Sequence, residues 1–152
     1  MAIRQRTQRG FTLFELLVAV ALAAALAGAA LLGARRALAG WRLSAAARQV
    51  VLDLKLARAR AILDSANHRV RFSVPGTSYQ HERQRPSGAY EASGLPTQLP
   101  DDVTVVACTA AGSGVSFRPR GNAGAFGAVT LRNGDGDLRA VVVDIVGRIR
   151  VQ

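Results

Sequence analysis

The feature that most constrains this chain is an apolar run from Phe11 to Leu32 in which Glu15 is the only charged residue. The run has 22 residues. At about 1.5 Å of rise per residue, a helix of this length would cross the roughly 30 Å hydrocarbon layer of a membrane. A carboxylate at the bilayer centre costs about 2.5–3.5 kcal/mol, so a membrane segment that keeps one is expected to use it. The run therefore predicts one membrane-spanning helix with Glu15 as a functional residue.

Two other interpretations of this segment stay open from the sequence alone. Arg4, Arg6 and Arg9 precede the run as in a removable secretory signal, and small residues at 25–29 offer a cleavage site. The run is longer than the roughly 7–15 residues of a signal core, however, and Glu15 interrupts it near its start. The other alternative is an isolated anchor whose Glu15 simply lies at the membrane interface.

A helical pattern continues beyond the run, through Leu63, and carries apolar residues on two nearly opposite stripes. The Leu43 stripe consists of Leu43, Ala47, Val50, Leu54, Ala57 and Ala61. The Trp41 stripe consists of Leu38, Trp41, Ala45, Leu52, Leu56, Ala59 and Leu63. Because a surface helix needs only one apolar stripe, we expect one to pack on the chain's own sheet and the other on helices of neighbouring chains. The alternative is a helix buried on both sides within one domain.

The period changes from helical to two after Asn67, a residue suited to a left-handed helix cap. Alternation over residues 69–74 predicts a first strand, and Pro75-Gly76 predicts a turn. Further strands are predicted over residues 103–108, 115–117, 125–131, 138–146 and 148–151. Residues 83–100 are rich in proline, glycine, serine and charge and predict a long surface loop. The predicted fold class is therefore α+β, with a long N-terminal helix packed on a small antiparallel β-sheet domain.

The rest of the sequence offers little for catalysis or metal binding. Cys108 is the only cysteine, so no disulfide can form within the chain. His68 and His81 have no partners at metal-ligand spacing, and we expect neither a metal nor a cofactor. Residues 133–137 alternate oxygen side chains, but Leu138 stands where a calcium loop needs glycine, so we expect a hairpin turn. A membrane-anchored enzyme is the least supported class.

The segment Gly10–Leu17, GFTLFELL, resembles the leader and processing motif of type IV pilins and of the pseudopilins of type II secretion systems. The resemblance implies the pilin lollipop fold, cleavage after Gly10 by a prepilin peptidase, and methylation of the new N-terminal Phe11. It also implies that Glu15 pairs with the N-terminus of the adjacent subunit. A nearby cation of this kind makes a buried carboxylate tolerable.

The resemblance divides the chain into four segments. They are a leader (1–10), a transmembrane assembly helix (11–34), an amphipathic helix (35–66) and a β-sheet domain (67–152). It implies a single-pass anchor in the bacterial inner membrane with the last domain in the periplasm. This orientation depends on the leader motif, because long domains translocate largely regardless of flanking charge. The implied partners are other minor and major pseudopilins, the prepilin peptidase, the inner-membrane assembly platform and membrane lipid.

Three further segments, residues 48–74, 115–121 and 147–151, resemble the H-type minor pseudopilins and their counterparts among minor type IV pilins. The resemblance covers most of the chain. It implies a low-copy structural subunit of a type II secretion system that helps prime or cap the periplasmic pseudopilus. The alternative is a minor type IV pilin of a pilus or DNA-uptake system.

Arginines near the C-terminus are the candidate contacts in that alternative. Alternation puts Arg148 and Arg150 on one face of the last predicted strand, with Arg118 and Arg120 on a neighbouring segment. Clustered arginines can neutralise phosphates and give salt-dependent DNA binding. The simpler interpretation is a solvated face on a chain with formal net charge +10. No aromatic residues interleave with these arginines, which disfavours stacking on single strands.

Overall fold

The computed structural model describes residues 12–152, apart from the side chain of Leu32. The chain divides into two compact units, the first ending at Ala37 and the second spanning Leu38–Gln152. One helix, α1 (Leu13–Leu63), begins in the first unit and ends in the second. The predicted helix through Leu63 is therefore confirmed as one continuous element.

The first part of α1 consists almost entirely of alanine, leucine, valine and glycine. Alanine and leucine are strong helix formers, which accounts for regular helix in a segment whose described side chains are not buried against any other described part of the chain. Thr12 is the N-cap of the helix, since its Oγ1 accepts a hydrogen bond of 3.2 Å from the backbone N–H of Glu15. Every described side chain from Leu13 to Ala37 is exposed.

The part of the chain after α1 forms nine short strands. They are β1 (His68–Phe72), β2 (Ser78–Gln84), β3 (Tyr90–Ala92), β4 (Thr97–Gln98), β5 (Val103–Cys108), β6 (Gly114–Phe117), β7 (Gly127–Asn133), β8 (Leu138–Val143) and β9 (Ile149–Val151). All pairings are antiparallel. The first sheet has the order β3-β2-β1-β6, with β4 also paired to β2, and the second has the order β5-β7-β8-β9. The α+β class is confirmed, with two small sheets where one was predicted.

Several details of the prediction were wrong. Strand β2 was not predicted, and residues 83–100 hold the end of β2 with β3 and β4 instead of one long loop. The last predicted long strand ends at Val143, because residues 144–147 form a turn. The left-handed residue after the helix is Ser65, with φ of 49°, and not Asn67.

The core of the second unit lies between α1 and the two sheets. All six residues of the Leu43 stripe are buried, with at most 2% of their surface exposed. They form one cluster with inward-facing residues of both sheets, among them Val70, Phe72, Tyr79, Val105, Phe117, Leu131 and Val141. The prediction that one stripe packs on the chain's own sheet is therefore confirmed, and it is the Leu43 stripe.

Candidate assembly and anion-binding surfaces

The first candidate surface is the apolar start of α1. This helix is long and apolar enough to cross a membrane. Its most apolar stretch of 18 residues has a mean hydropathy of 2.5, and none of those residues is buried. Glu15 lies exposed in the first turn, where the helix dipole favours a carboxylate. The predicted processing residues, Gly10 and Phe11, lie outside the described residues.

The second candidate surface is the Trp41 stripe. All seven of its residues are exposed. Trp41 is 77% and Leu52 66% exposed, whereas Leu54, two positions further along the helix, is 0% exposed. The alternative of a helix buried on both sides within one domain is therefore wrong. Large apolar side chains aligned in this way mark a contact surface.

The third candidate surface is formed by two arginine-bearing segments, which we call the arginine turns: residues 118–121 and 147–150. Arg118 and Arg120 lie in the turn that follows β6, while Arg148 precedes β9 and Arg150 lies within it. All four arginines are exposed. The last strand is one residue shorter than predicted, since it begins at Ile149.

Arg58 of α1 brings the two arginine turns together. Its Nε donates a hydrogen bond of 2.7 Å to the carbonyl oxygen of Gly121, and its Nη1 donates one of 3.1 Å to that of Gly147. The turns also touch each other, because a Cβ on Gly147 would lie 2.5 Å from the Gly121 oxygen. Sequence analysis missed this role of Arg58. The two bonds span 63 and 89 residues and have no local signal.

The electrostatics of the arginine turns leave their side chains free for a ligand. Within residues 12–152, none of the four guanidinium groups forms an ion pair or hydrogen bond with another side chain. One carboxylate lies beside them, since Asp144 Oδ1 accepts a hydrogen bond of 2.8 Å from the backbone N–H of Arg148. The surface is therefore predominantly cationic.

Two histidine–aspartate pairs join α1 or its end to the first sheet. His68 Nε2 lies 2.9 Å from Asp64 Oδ2, and His81 Nε2 lies 3.3 Å from Asp53 Oδ1. Burial lowers the pKa of His68, although its bond to Asp64 opposes that shift. Both histidines thus have carboxylate partners in the fold. No group of three or more metal-ligating side chains occurs in the described part of the chain.

Asp53 also accepts a hydrogen bond from the hydroxyl of Tyr79, which is 1% exposed. Gln49 Nε2 donates a second bond to that hydroxyl, of 3.1 Å. Burial and the neighbouring carboxylate together raise the pKa of Tyr79 well above its ordinary value. These contacts form a polar network between α1 and β2.

Residues 133–137 form the turn of a β7–β8 hairpin, as predicted. Asn133 closes this turn, because its Oδ1 accepts a bond of 2.8 Å from the backbone N–H of Asp137. Its Nδ2 donates to the Asp137 carboxylate at 3.0 Å. Cys108 is half-buried against the core, and burial raises the pKa of its thiol. That environment is typical of an unreactive thiol.

Comparison with known protein families gives two matches. The prokaryotic N-terminal methylation motif matches residues 5–31, and the family described as Type II transport protein GspH matches residues 46–147. The second match covers 102 of the 152 residues. Comparison with curated protein sequences gave no match.

Solved structures with a similar fold include a minor pseudopilin and a type IV minor pilin. The minor pseudopilin EpsH from the Type 2 Secretion System of Vibrio cholerae is 13% identical, with 73% of this chain and 96% of that chain covered and a TM-score of 0.61. The type IV minor pilin FimU of Pseudomonas aeruginosa is 18% identical, with 72% and 87% covered and a TM-score of 0.59.

The family match, the methylation motif and the apolar helix agree with one another. The family is one of structural subunits that assemble with other pseudopilins. The apolar part of α1 is the membrane anchor of this chain. The chain therefore belongs to the Type II transport protein GspH family and is a minor pseudopilin of the type II secretion system.

Proposed function

We propose that this minor pseudopilin enters the pseudopilus through the Trp41 stripe and helps prime or cap the filament. The observation that carries the proposal is the contrast between the two stripes of α1, since every residue of one is buried and every residue of the other is exposed. Burial of apolar surface contributes about 25 cal/mol per Å². Covering Trp41 and the exposed leucines by neighbouring helices would therefore favour assembly.

The test places a charge on the Trp41 stripe. Leu52→Glu should leave the second unit folded, because Leu52 makes no contribution to its core, and should prevent incorporation into the pseudopilus. The matched control is Leu95→Glu, which changes a leucine that is 88% exposed outside the helix. The measurements are crosslinking to the other pseudopilins and secretion by the intact cell. Normal incorporation of the Leu52 variant would contradict the proposal.

The N-terminal segment is proposed to supply processing and registration. The prepilin peptidase would cut between Gly10 and Phe11 and methylate Phe11, and the assembly platform would then receive the mature helix from the inner membrane. The second unit would face the periplasm. Glu15 would pair with the cationic N-terminus of a neighbouring subunit, since a charge in lipid is tolerated when it is paired.

Glu15→Ala tests the registration role. The variant should insert into the membrane and lose its leader at the normal rate, because Gly10 and every apolar residue of the run are unchanged. It should fail to enter the filament. Leader cleavage is read from the mass of the mature chain and assembly from crosslinking. Filament entry at the wild-type level would refute the role of Glu15.

A second candidate function is favoured by one observation, the joining of the two arginine turns by Arg58. The four exposed arginines, 118, 120, 148 and 150, would together neutralise DNA phosphates. Such binding does not depend on base sequence, and its affinity falls as salt rises. In this case the chain would also serve as a DNA-contacting minor pilin.

Salt titration with matched variants tests this second function. Arg148→Ala with Arg150→Ala should weaken duplex binding and reduce the salt slope by roughly one unit for each phosphate that is no longer neutralised. The control is Arg132→Ala with Arg139→Ala, which removes two exposed arginines from β7 and β8. Equal reductions in affinity for the two pairs would attribute the effect to net charge and would exclude a site at the arginine turns.

A further inference from the structure

The side chain of Arg58 is part-buried and donates to two backbone carbonyls that are far apart in sequence. A guanidinium group suits this task because its N–H donors are held in one plane at fixed angles. A lysine ammonium has the same charge but no such fixed arrangement. The contact therefore depends on the shape of the arginine head group and not only on its charge.

The two acceptors are special positions in the backbone. Gly121 and Gly147 have φ values of +79° and +86°, which side chains other than glycine rarely adopt. Each closes its own turn, through the bonds from Gly121 N–H to Arg118 O and from Gly147 N–H to Asp144 O, at 2.8 and 2.9 Å. Arg58 thus holds both turns at the residue next to an exposed arginine.

From this geometry we infer that Arg58 is a positioning residue for phosphate binding. It fixes the separation of the two arginine turns, so that Arg118, Arg120, Arg148 and Arg150 act as one surface on a nucleic-acid backbone. The inference rests on the second proposed function. Without Arg58 the turns would have to be ordered when the ligand binds, and this ordering lowers affinity.

Lys55 provides a matched control. It lies exposed on the same helix, three positions before Arg58. Arg58→Lys and Lys55→Arg each exchange one basic residue for the other and leave the net charge unchanged. The test uses the full chain in detergent micelles, titrated with duplex DNA of mixed sequence at low and moderate salt.

We expect Arg58→Lys to weaken DNA binding about tenfold, as the loss of pre-ordering implies. Lys55→Arg should change it less than about twofold, because its side chain holds neither turn. Amide hydrogen exchange at Gly121 and Gly147 should become faster in the Arg58 variant alone. Gly147→Ala is a second variant, which displaces the contact between the two arginine turns without changing any charge. It should weaken DNA binding similarly.

A combined variant separates positioning from direct contact. In the background of Arg148→Ala with Arg150→Ala, Arg58→Lys should cause little further loss of affinity, since one of the two turns that it holds no longer carries an arginine and their separation no longer matters. A full additional tenfold loss there would overturn the inference. So would equal affinities for Arg58→Lys and Lys55→Arg while the wild-type chain still binds through Arg148 and Arg150. If the wild-type chain binds no better than an unrelated basic protein, the second proposed function fails and this inference fails with it.

Discussion

The two apolar stripes of α1 have similar side chains and opposite surroundings. Leu54 of the Leu43 stripe has no exposed surface, while Leu52 of the Trp41 stripe is 66% exposed. Both stripes satisfy the same helical period, so periodicity shows only that a face is apolar. The structure of the single chain shows which face the fold itself uses. The remaining face is the one that stays available to other subunits.

The largest expected difference between the stripes is in folding stability. Leu54→Ala should lower the free energy of unfolding by about 2–5 kcal/mol, because it leaves a cavity between α1 and the sheets. The measurement is denaturant unfolding of the protein in micelles, followed by the near-UV signal. A decrease under about 0.5 kcal/mol, the usual range for surface positions, would remove the distinction between the stripes.

The next largest effect on stability is expected where Arg58 of α1 bonds to the two arginine turns. Gly147→Ala should cost about 1–3 kcal/mol, because alanine is strained at positive φ. Its Cβ would also lie 2.5 Å from the Gly121 oxygen. Gly136→Ala is the control, since Gly136 has φ of +92° but nothing within 4 Å of an added Cβ. A destabilisation no larger than that of the control would show that close contact of the turns contributes nothing.

Acidification should act where α1 and the residue that follows it meet the first sheet, since the histidine–aspartate pairs lie there. Burial lowers the pKa of His68 below its ordinary value of 6.5. The unfolded chain therefore binds a proton before the folded one does, and stability falls as pH drops below about 6.5. Unfolding at several pH values measures this slope, and His68→Gln should reduce it. An identical slope in that variant would assign the effect to other groups.

The smallest expected effect on stability comes from a substitution in the exposed Trp41 stripe. Leu52→Ala should change the free energy of unfolding by less than about 0.5 kcal/mol, since its side chain is mostly in contact with solvent. The same substitution should still weaken crosslinking to neighbouring subunits in the cell. A stability decrease similar to that of Leu54→Ala would contradict the contrast from which the proposed assembly surface is inferred.

Much of the fold could be predicted because its signals are local. The helix through Leu63, strand β5 and the β7–β8 hairpin follow from hydrophobic period and turn residues. Sequence period also gave the membership of the Leu43 stripe residue by residue. It did not tell which of two equally apolar stripes is buried, because that choice depends on where the sheets pack.

Strand β2 was missed because its buried positions are polar. Tyr79 and His81 face inward, and their hydrogen bonds to Asp53 compensate for burial. No apolar alternation therefore marks the strand. The cap at Ser65 was missed for a different reason, since serine rarely adopts positive φ and asparagine does so more often. Contacts such as these, set by partners distant in sequence, have no local pattern.

The polar network of Asp53, Tyr79 and Gln49 has a mechanical consequence. Half of the Leu43 stripe is alanine, and small side chains of this kind would let a helix slide by one turn at little cost in apolar contact. Directional hydrogen bonds do not permit such sliding, because each donor must keep its own acceptor. In the proposed filament, a push on the helix along its axis would be resisted by these bonds and by the Arg58 contacts. We therefore expect the sheets to move together with the helix.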